Sequence, residues 1–517
     1  MSNERILWAD DEIDLLKPHI LFLQQKGYDV VTVNNGSEAV DKVKENYFDI
    51  VFLDENMPGI NGLTALQRIK EIDPTLPVVM ITKSEEEHIM EDAIGSKISD
   101  YLIKPVNPNQ ILLSLKKNLD ERRLVSEKKT SDYRQEFREI AMRLGDKMDH
   151  NEWTEFYRKL VHWSMELSDL EDEGMTGIFH AQHIEANEQF SKFIKNNYLD
   201  WLKNTANAPT MSHTLVKEKV VPVLKQESGS VFMVVIDNLR FDQWRVILPK
   251  LKEMFRVETE ELFYSILPTA THYARNALFA GLMPSEIEKL HPQLWLNEDD
   301  EGGKNMHEEE LMAAQLKRLG LNLKFSYNKI TNLNAGRKLN DSFSNLLSNQ
   351  LNVIVYNFVD MLSHARTEME VIKELADDEA AYRSITASWF DHSPLLDILK
   401  KIAENNGTLI ITTDHGTIRV DNPVKVVGDR NTNTNLRYKA GKNLNYNPKE
   451  VFEIRNPAEA FLPKINVSTA YIFAQNNDFF VYPNNYNQFV NFYQNTFQHG
   501  GISMEEMIIP FAVLKAK

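Results

Sequence analysis

The sequence predicts an α/β protein in three parts: a parallel, doubly wound sheet, a central α-helical bundle, and a second α/β domain at the C-terminal end. Three observations predict this. Short β-branched runs alternate with amphipathic stretches over residues 4–120. Such runs vanish from about Asn109 to Ala206, where charges interleave with Leu, Phe, Trp and Met at helical spacing. They return after Asn207–Pro209, and the three most apolar each lead to an aspartate. At 517 residues the chain suits about three units, expected at 1–122, 123–208 and 209–517.

In the first part, Arg5–Ala9, a run near Asp29–Thr32, Asp49–Leu53, Pro77–Ile81 and Tyr101–Ile103 read as strands, with Gly36–Glu45 and Leu63–Glu71 as helices. Forming an acyl phosphate needs a carboxylate nucleophile, a divalent cation for the phosphoryl oxygens and a cation on the far side. Strand ends supply these groups. Asp10 and Asp11 follow the first strand, Asp54 closes the third in LDENMPG, Thr82 ends the next, and Lys104 ends the last in YLIKP.

This set resembles the response-regulator receiver family over essentially all of residues 4–120. The resemblance implies a flavodoxin-like (βα)5 fold with Asp54 as phosphoacceptor. It implies Mg²⁺ bound by Asp11, Asp54 and the backbone carbonyl of Asn56, with Asp10 helping through water. Lys104 would pair with a phosphoryl oxygen, while Thr82 and Tyr101 would form the switch. Lys104–Pro105 is a candidate cis peptide. A sensor histidine kinase is the implied partner, and a phosphorylation-dependent homodimer the implied assembly.

The middle part reads as helices over Asp132–Asp146, Asn151–Leu167 and Phe179–Leu202, with breaks near Gly145–Asn151 and Asp169–Gly177. Trp153, Trp163 and Trp201 are read as packing residues and not as a ligand box.

In the third part, Val231–Ile236, Val353–Val359 and Thr408–Thr413 are the expected parallel strands, ending at Asp237, Asp360 and Asp414. Open α/β sheets place their sites just past such ends. Asp360 and His364 lie four apart in FVDMLSH, so a helix there would present both on one face. His415 follows Asp414 in TTDHG, and His499 lies in FQHGG before the last strand, Ile508–Leu514. Three aspartates and three histidines form an N/O ligand set suited to Zn²⁺, or to Mn²⁺. Thr271 opens an expected helix, His272–Ala280, whose N-terminus favours an anion beside the hydroxyl.

This order resembles the PglZ domain of the alkaline phosphatase superfamily, from about residue 210 to 517. The resemblance implies two Zn²⁺ ions: one held by Asp360, His364 and His499, the second by Asp237, Asp414 and His415 and touching Thr271 as nucleophile. Asn276, further along the same helix, would be a second donor to a substrate oxygen. With no further ligand cluster for a third metal, the first expected substrate is a phosphodiester such as a nucleotide or oligonucleotide. His272 reads equally as a substrate contact or as packing. The basic segment Asp429–Lys442, with Arg430, Arg437, Lys439 and Lys442, reads first as a charged surface loop. The Asn-rich stretches 431–447 and 484–495 read as polar loops.

A receiver, a helical connector and a PglZ-type domain in this order resemble response regulators associated with type IX secretion. That implies a metal-dependent phosphodiesterase under phosphorylation control. The alternative is a non-catalytic regulator that docks a transcription or secretion component through a metal-bound fold. Composition narrows the field. Net charge −17, from 58 basic and 75 acidic residues, argues against a general nucleic-acid coat. With no cysteine there are no disulfides and no thiolate metal sites. The charged start MSNERILWADDEIDLL is unlike a signal peptide, and no run approaches the roughly 18 apolar residues of a membrane span. A cytoplasmic protein without membrane insertion is expected.

Overall fold

The computed structural model describes residues 4–83, 98–168, 173–203, 205–298, 300–360, 362, 378–429, 432–464 and 466–517. It divides into two compact units, Met1–Gln135 and Glu136–Lys517.

In the first unit, strands β1 (Arg5–Ala9), β2 (Asp29–Val33), β3 (Ile50–Asp54), β4 (Val78–Thr82) and β5 (Asp100–Ile103) form a sheet of order β2-β1-β3-β4-β5. Every pairing is parallel, which is the flavodoxin-like order. Side-chain alternation sends Leu7, Ala9, Val51 and Leu53 into one core and Ile6, Trp8, Ile50 and Phe52 into the other. With both faces covered, β3 and β4 are buried throughout, so their sequences are continuously apolar. Asn35 and Asn61 each accept a backbone N–H in the first turn of the following helix, fixing the starts of Gly36–Glu45 and Gly62–Ile72.

A single helix runs Pro108–Gly145, where a separate one from Asp132 was expected. No Gly or Pro interrupts the sequence between those ends, so nothing local stops the helix. The division between the two units falls within it.

In the second unit, helices His150–Ser168 and Glu173–Lys203 bury Trp153, Trp163 and Trp201, as packing residues should be. Trp201 meets Tyr264 at 5.3 Å between ring centroids, and Trp153 packs on Phe190 and Phe193. Strands β6 (Val231–Ile236), β7 (Phe255–Tyr264), β8 (Phe325–Ile330), β9 (Leu351–Tyr356), β10 (Thr408–Thr412) and the C-terminal strand Ile508–Ala516 form a six-stranded sheet. β10, β6, β9 and β8 are parallel in that order; the C-terminal strand and β7 continue the sheet antiparallel beyond β10.

β9 ends at Tyr356, three residues earlier than the expected Val359, and Phe358–Asp360 turn helical. Asp360 therefore sits on the exit turn and not at the strand's last residue. The Asn-rich stretches are also more ordered than loops: they hold the strand Tyr438–Gly441 and the helix Tyr486–Tyr493. No helix among the described residues is long and apolar enough to cross a membrane.

Candidate metal centre and phosphoacceptor site

In the first unit, Asp10 and Asp54 are buried and Asp11 is exposed; each offers an oxygen, and the three lie within 4.8 Å of one another. Lys104 Nζ stands 2.9 Å from Asp10 Oδ2 and 2.8 Å from Asp54 Oδ1. Burial lifts the Asp54 pKa above its ordinary value, with the Lys104 ammonium working against that lift. Thr82 Oγ1 donates to the Glu55 carboxylate, and Tyr101 is half-buried against the core that holds Leu53 and Leu66. Asn56 is exposed two residues beyond Asp54, and Lys104–Pro105 is cis. Two buried carboxylates and one exposed one, converging beside a single lysine, form an acidic pocket that suits a hard divalent cation.

In the second unit, three parallel strand ends deliver the site. Asp237 follows β6 directly, and Asp414 and His415 follow β10. Asp237, Asp414 and His415 are fully buried and offer ligand atoms within 4.8 Å of one another. Thr271, at the start of the helix Thr271–Ala280, places Oγ1 3.0 Å from His415 Nε2 and 3.3 Å from Asp237 Oδ1.

Backbone carbonyls settle which imidazole nitrogen faces the site. His415 Nδ1 donates to the Gly416 carbonyl and His499 Nδ1 to the Thr269 carbonyl. Each ring thus turns Nε2 inward, as metal-binding histidines commonly do. The two rings stack at 4.3 Å, and His499 Nε2 lies 3.7 Å from Asp360 Oδ1. Asp237, Thr271, Asp360, Asp414, His415 and His499 therefore converge. His364 lies outside the described residues.

The donor set fits a cation. Asp414 Oδ1 accepts from the backbone N–H of Asn238 and of His415, while its buried Oδ2 has no hydrogen-bond partner. Burial lifts Asp237 to about 6 even with Arg275 beside it, and lifts Asp414 as well. Asp360 rises well above its ordinary value through burial, then through repulsion by Asp237 and Asp414. Burial lowers His415 to about 4, leaving its Nε2 lone pair free at neutral pH. Crowded, desolvated carboxylates beside a neutral imidazole are the electrostatic setting that a divalent ion relieves.

Arg275 was not among the expected site residues. Fully buried, it sets Nη1 2.5 Å from Asp237 Oδ2 and 3.8 Å from Asp414 Oδ2, and Nε 2.5 Å from Glu308 Oε1. Glu308 in turn accepts from Tyr327 and pairs with Lys329 at 3.0 Å. The arginine thus holds one oxygen of Asp237 and leaves the other toward Thr271. Its spacing was a usable signal: four residues after Thr271 puts it on the same helix face.

Asn276, expected as a substrate donor, instead donates to the carbonyls of His272 and Lys304. Being five residues from Thr271, it falls off the face that Thr271 and Arg275 share, and its amide supports the loop. His272 is a packing residue, stacked on Trp295 at 4.6 Å and bonded to the Leu296 carbonyl.

The basic segment is not simply a surface loop. Arg437 and Lys439 are buried, while Arg430 lies outside the described residues. Arg437 pairs with Glu506 at 2.5 Å, and Glu506 accepts the Gly501 N–H, which ties down the loop that carries His499. Lys439 donates to the Asn433 carbonyl, and burial lowers its pKa to about 8.

Comparison with known proteins matches three stretches of the chain. Residues 6–116 match the response regulator receiver domain, 123–202 the PorX response regulator linker domain, and 215–515 the BREX system PglZ alkaline phosphatase-like domain. The chemotaxis protein CheY of Bacillus subtilis is 33% identical over 117 residues, which cover 22% of this chain and 98% of CheY. The alginate biosynthesis transcriptional regulatory protein AlgB of Pseudomonas syringae pv. tomato is 35% identical over 123 residues, 24% of this chain. The chain spans only 28% of AlgB's length. A CheY-like receiver structure from Methanospirillum hungatei aligns with 26% identity and a TM-score of 0.23, covering 24% of this chain and 98% of that one.

Proposed function

Because the chain belongs to the PglZ alkaline phosphatase-like family, in a PorX-like arrangement of receiver, linker and output domain, we propose that it is a response regulator whose output is metal-dependent phosphodiester hydrolysis. One observation carries this reading: a threonine hydroxyl at a helix N-terminus, 3.0 Å from a neutral buried imidazole, beside buried carboxylates that outnumber the one arginine facing them.

Asp237, Asp414 and His415 would hold one zinc ion, and Asp360, His499 and His364 a second. Bound there, the ions would supply Lewis acidity toward a phosphoryl oxygen and lower the pKa of a neighbouring hydroxyl. The chain's own residues do the rest. Thr271 Oγ1 lies 3.0 Å from His415 Nε2, so an ion taken up by that nitrogen would border the hydroxyl. Asp237 borders that hydroxyl on its other side, held by Arg275. The first turn of the Thr271–Ala280 helix favours an anionic phosphoryl group at the same place. Nucleotides or oligonucleotides are the substrate class this reading names, as the resemblance to two-metal members of the superfamily implies.

Upstream, Asp54 would take its phosphoryl group from a sensor histidine kinase, with Mg²⁺ on Asp10, Asp11, Asp54 and the Asn56 carbonyl. Phosphorylated chains would pair, and the linker would pass that state to the hydrolase. We extend this reading to control of type IX secretion, the role that the resemblance of the receiver–linker–PglZ order implies.

The test is hydrolysis of bis-p-nitrophenyl phosphate and of p-nitrophenyl phosphate by zinc-loaded protein. Diester cleavage should fall at least 10²-fold in Thr271→Val, as for loss of a nucleophile. Wild-type rates in that variant would refute the covalent role. Acetyl phosphate should raise turnover in the wild type and leave Asp54→Ala unchanged. Equal activity with and without the phosphodonor would refute the coupling.

A further inference from the structure

The loops of the metal centre meet at a buried one-turn helix, Met504–Met507. The turn after β10 rests on it: the Gly416 N–H, next to His415, donates to the Glu506 carbonyl at 3.2 Å. A Cβ on Gly416 would stand 2.1 Å from the Glu505 carbonyl oxygen, so the two backbones pass too closely for any side chain. The loop that carries His499 is tied to the same helix, since Glu506 Oε1 accepts the Gly501 N–H at 2.8 Å. Thr269, two residues before Thr271, closes the set. Its hydroxyl donates to the Gly501 carbonyl and accepts the Gly500 N–H, and its carbonyl accepts from His499 Nδ1.

A helix of one turn does not persist by itself, so contacts from outside must hold it. Asn187, on the helix Glu173–Lys203, supplies two of them from one carboxamide. Its Oδ1 accepts the Met504 N–H at 2.8 Å, and its Nδ2 donates to Glu505 Oε2 at 3.0 Å. His183 Nε2, one helical turn earlier, stands 2.8 Å from Glu505 Oε1. Further along the same helix, the Tyr198 hydroxyl accepts the Leu267 N–H at 2.8 Å, where the chain enters the segment that leads to Thr271. Asn187, Glu505 and Tyr198 are all buried, so water cannot stand in for these bonds. An apolar side chain could fill the same space. Only a group that accepts from one buried N–H and donates to one buried carboxylate also fixes how the short helix is turned.

We propose that Asn187 is a positioning residue of the metal centre: it sets the helix Met504–Met507, and through it the backbone turns that aim His415 and His499. Contacts behind the ligands commonly decide how tightly a cation is held. Asn187 lies within the PorX-type linker match, so cation affinity in the output domain would depend on how the linker helix is seated. The inference rests on the metal-centre reading and not on hydrolysis.

The experiment is titration of the full-length chain with Co²⁺, whose visible d–d bands report ligand geometry, with Mg²⁺ in excess to fill the receiver site. Asn187→Ala should weaken Co²⁺ binding roughly tenfold and shift the bands. Asn187→Asp, which sets two carboxylates together, should do at least as much. Adding Glu505→Gln to Asn187→Asp reverses the polarity of the bond. The new amide then donates to the new carboxylate, which still accepts the Met504 N–H, and the wild-type spectrum should return. Arg158 fastens the other linker helix to Glu260, in mid-strand on β7, so Arg158→Ala should bind Co²⁺ as wild type. Wild-type affinity and bands in Asn187→Ala would overturn the proposal and leave the metal centre standing. So would a double variant that recovers nothing, or an Arg158→Ala chain that loses Co²⁺ as fully as Asn187→Ala. A wild type that takes up no Co²⁺ would refute the metal centre itself, and the proposal with it.

Discussion

Replacing Arg275 with leucine should be the most damaging single change in the output domain. The guanidinium stands 2.5 Å from Asp237, 2.5 Å from Glu308 and 3.8 Å from Asp414, and all four side chains are 1% exposed or less. Arg275→Leu would remove two charge-assisted hydrogen bonds, strand Asp237 in a desolvated site and leave Glu308 with Lys329 as its one cation. Breaking a buried pair from one side costs about 3–5 kcal/mol, because the remaining charge has no compensation. Glu308→Gln in the same chain removes the buried charge that has lost one of its two cations, while Tyr327 and Lys329 can still bond the amide oxygen. The double variant should therefore recover about 1–2 kcal/mol, a coupling typical of residues sharing one network. Urea unfolding followed by tryptophan fluorescence is a suitable assay, since Trp8 alone among the seven tryptophans lies in the first unit. An Arg275→Leu midpoint equal to wild type, or a double variant showing the plain sum of two penalties, would refute the network.

Two more expectations follow from the same packing. Gly416→Ala would force a methyl to within 2.1 Å of a backbone oxygen that cannot rotate away. It should cost about 1–3 kcal/mol and displace His415, read as a lower melting temperature together with lost zinc content. The His183–Glu505 pair should give a pH signature. Burial alone would raise Glu505, but His183 holds it down at about 2 against an ordinary 4.5. Its contribution, about 3 kcal/mol, is thus present above pH 4.5 and lost as pH falls toward 2. Burial alone would lower His183, but Glu505 raises it above 6.5, so its share is present below pH 6.5 and lost as pH climbs through the raised value. Urea midpoints against pH should show both slopes in wild type and neither in His183→Gln.

The alternation of apolar runs with amphipathic stretches, and the acids at the strand ends, made the fold class and most of the site readable from one chain. Those signals are local: a strand's burial shows in its own residues, and Asp237 and Asp414 follow closely on β6 and β10, while Asp360 lies on the turn four residues past β9. The helix Pro108–Gly145 runs straight through the expected boundary at 122/123, because no Gly or Pro between its ends breaks it.

What only the tertiary structure decided are pairings between distant residues. Arg275 meets Asp237 from 38 positions away and Arg437 meets Glu506 from 69, and neither partner's sequence neighbourhood names the other. The inward face of His415 and His499 depends on which carbonyl happens to lie behind each ring. A cleft beside Arg240 exists only because the helices His150–Ser168 and Glu173–Lys203 lie over segments that are far apart in sequence. Hydrophobic periodicity is written in consecutive residues; charge compensation and concavity are properties of the packed chain, and they appear only once it is folded.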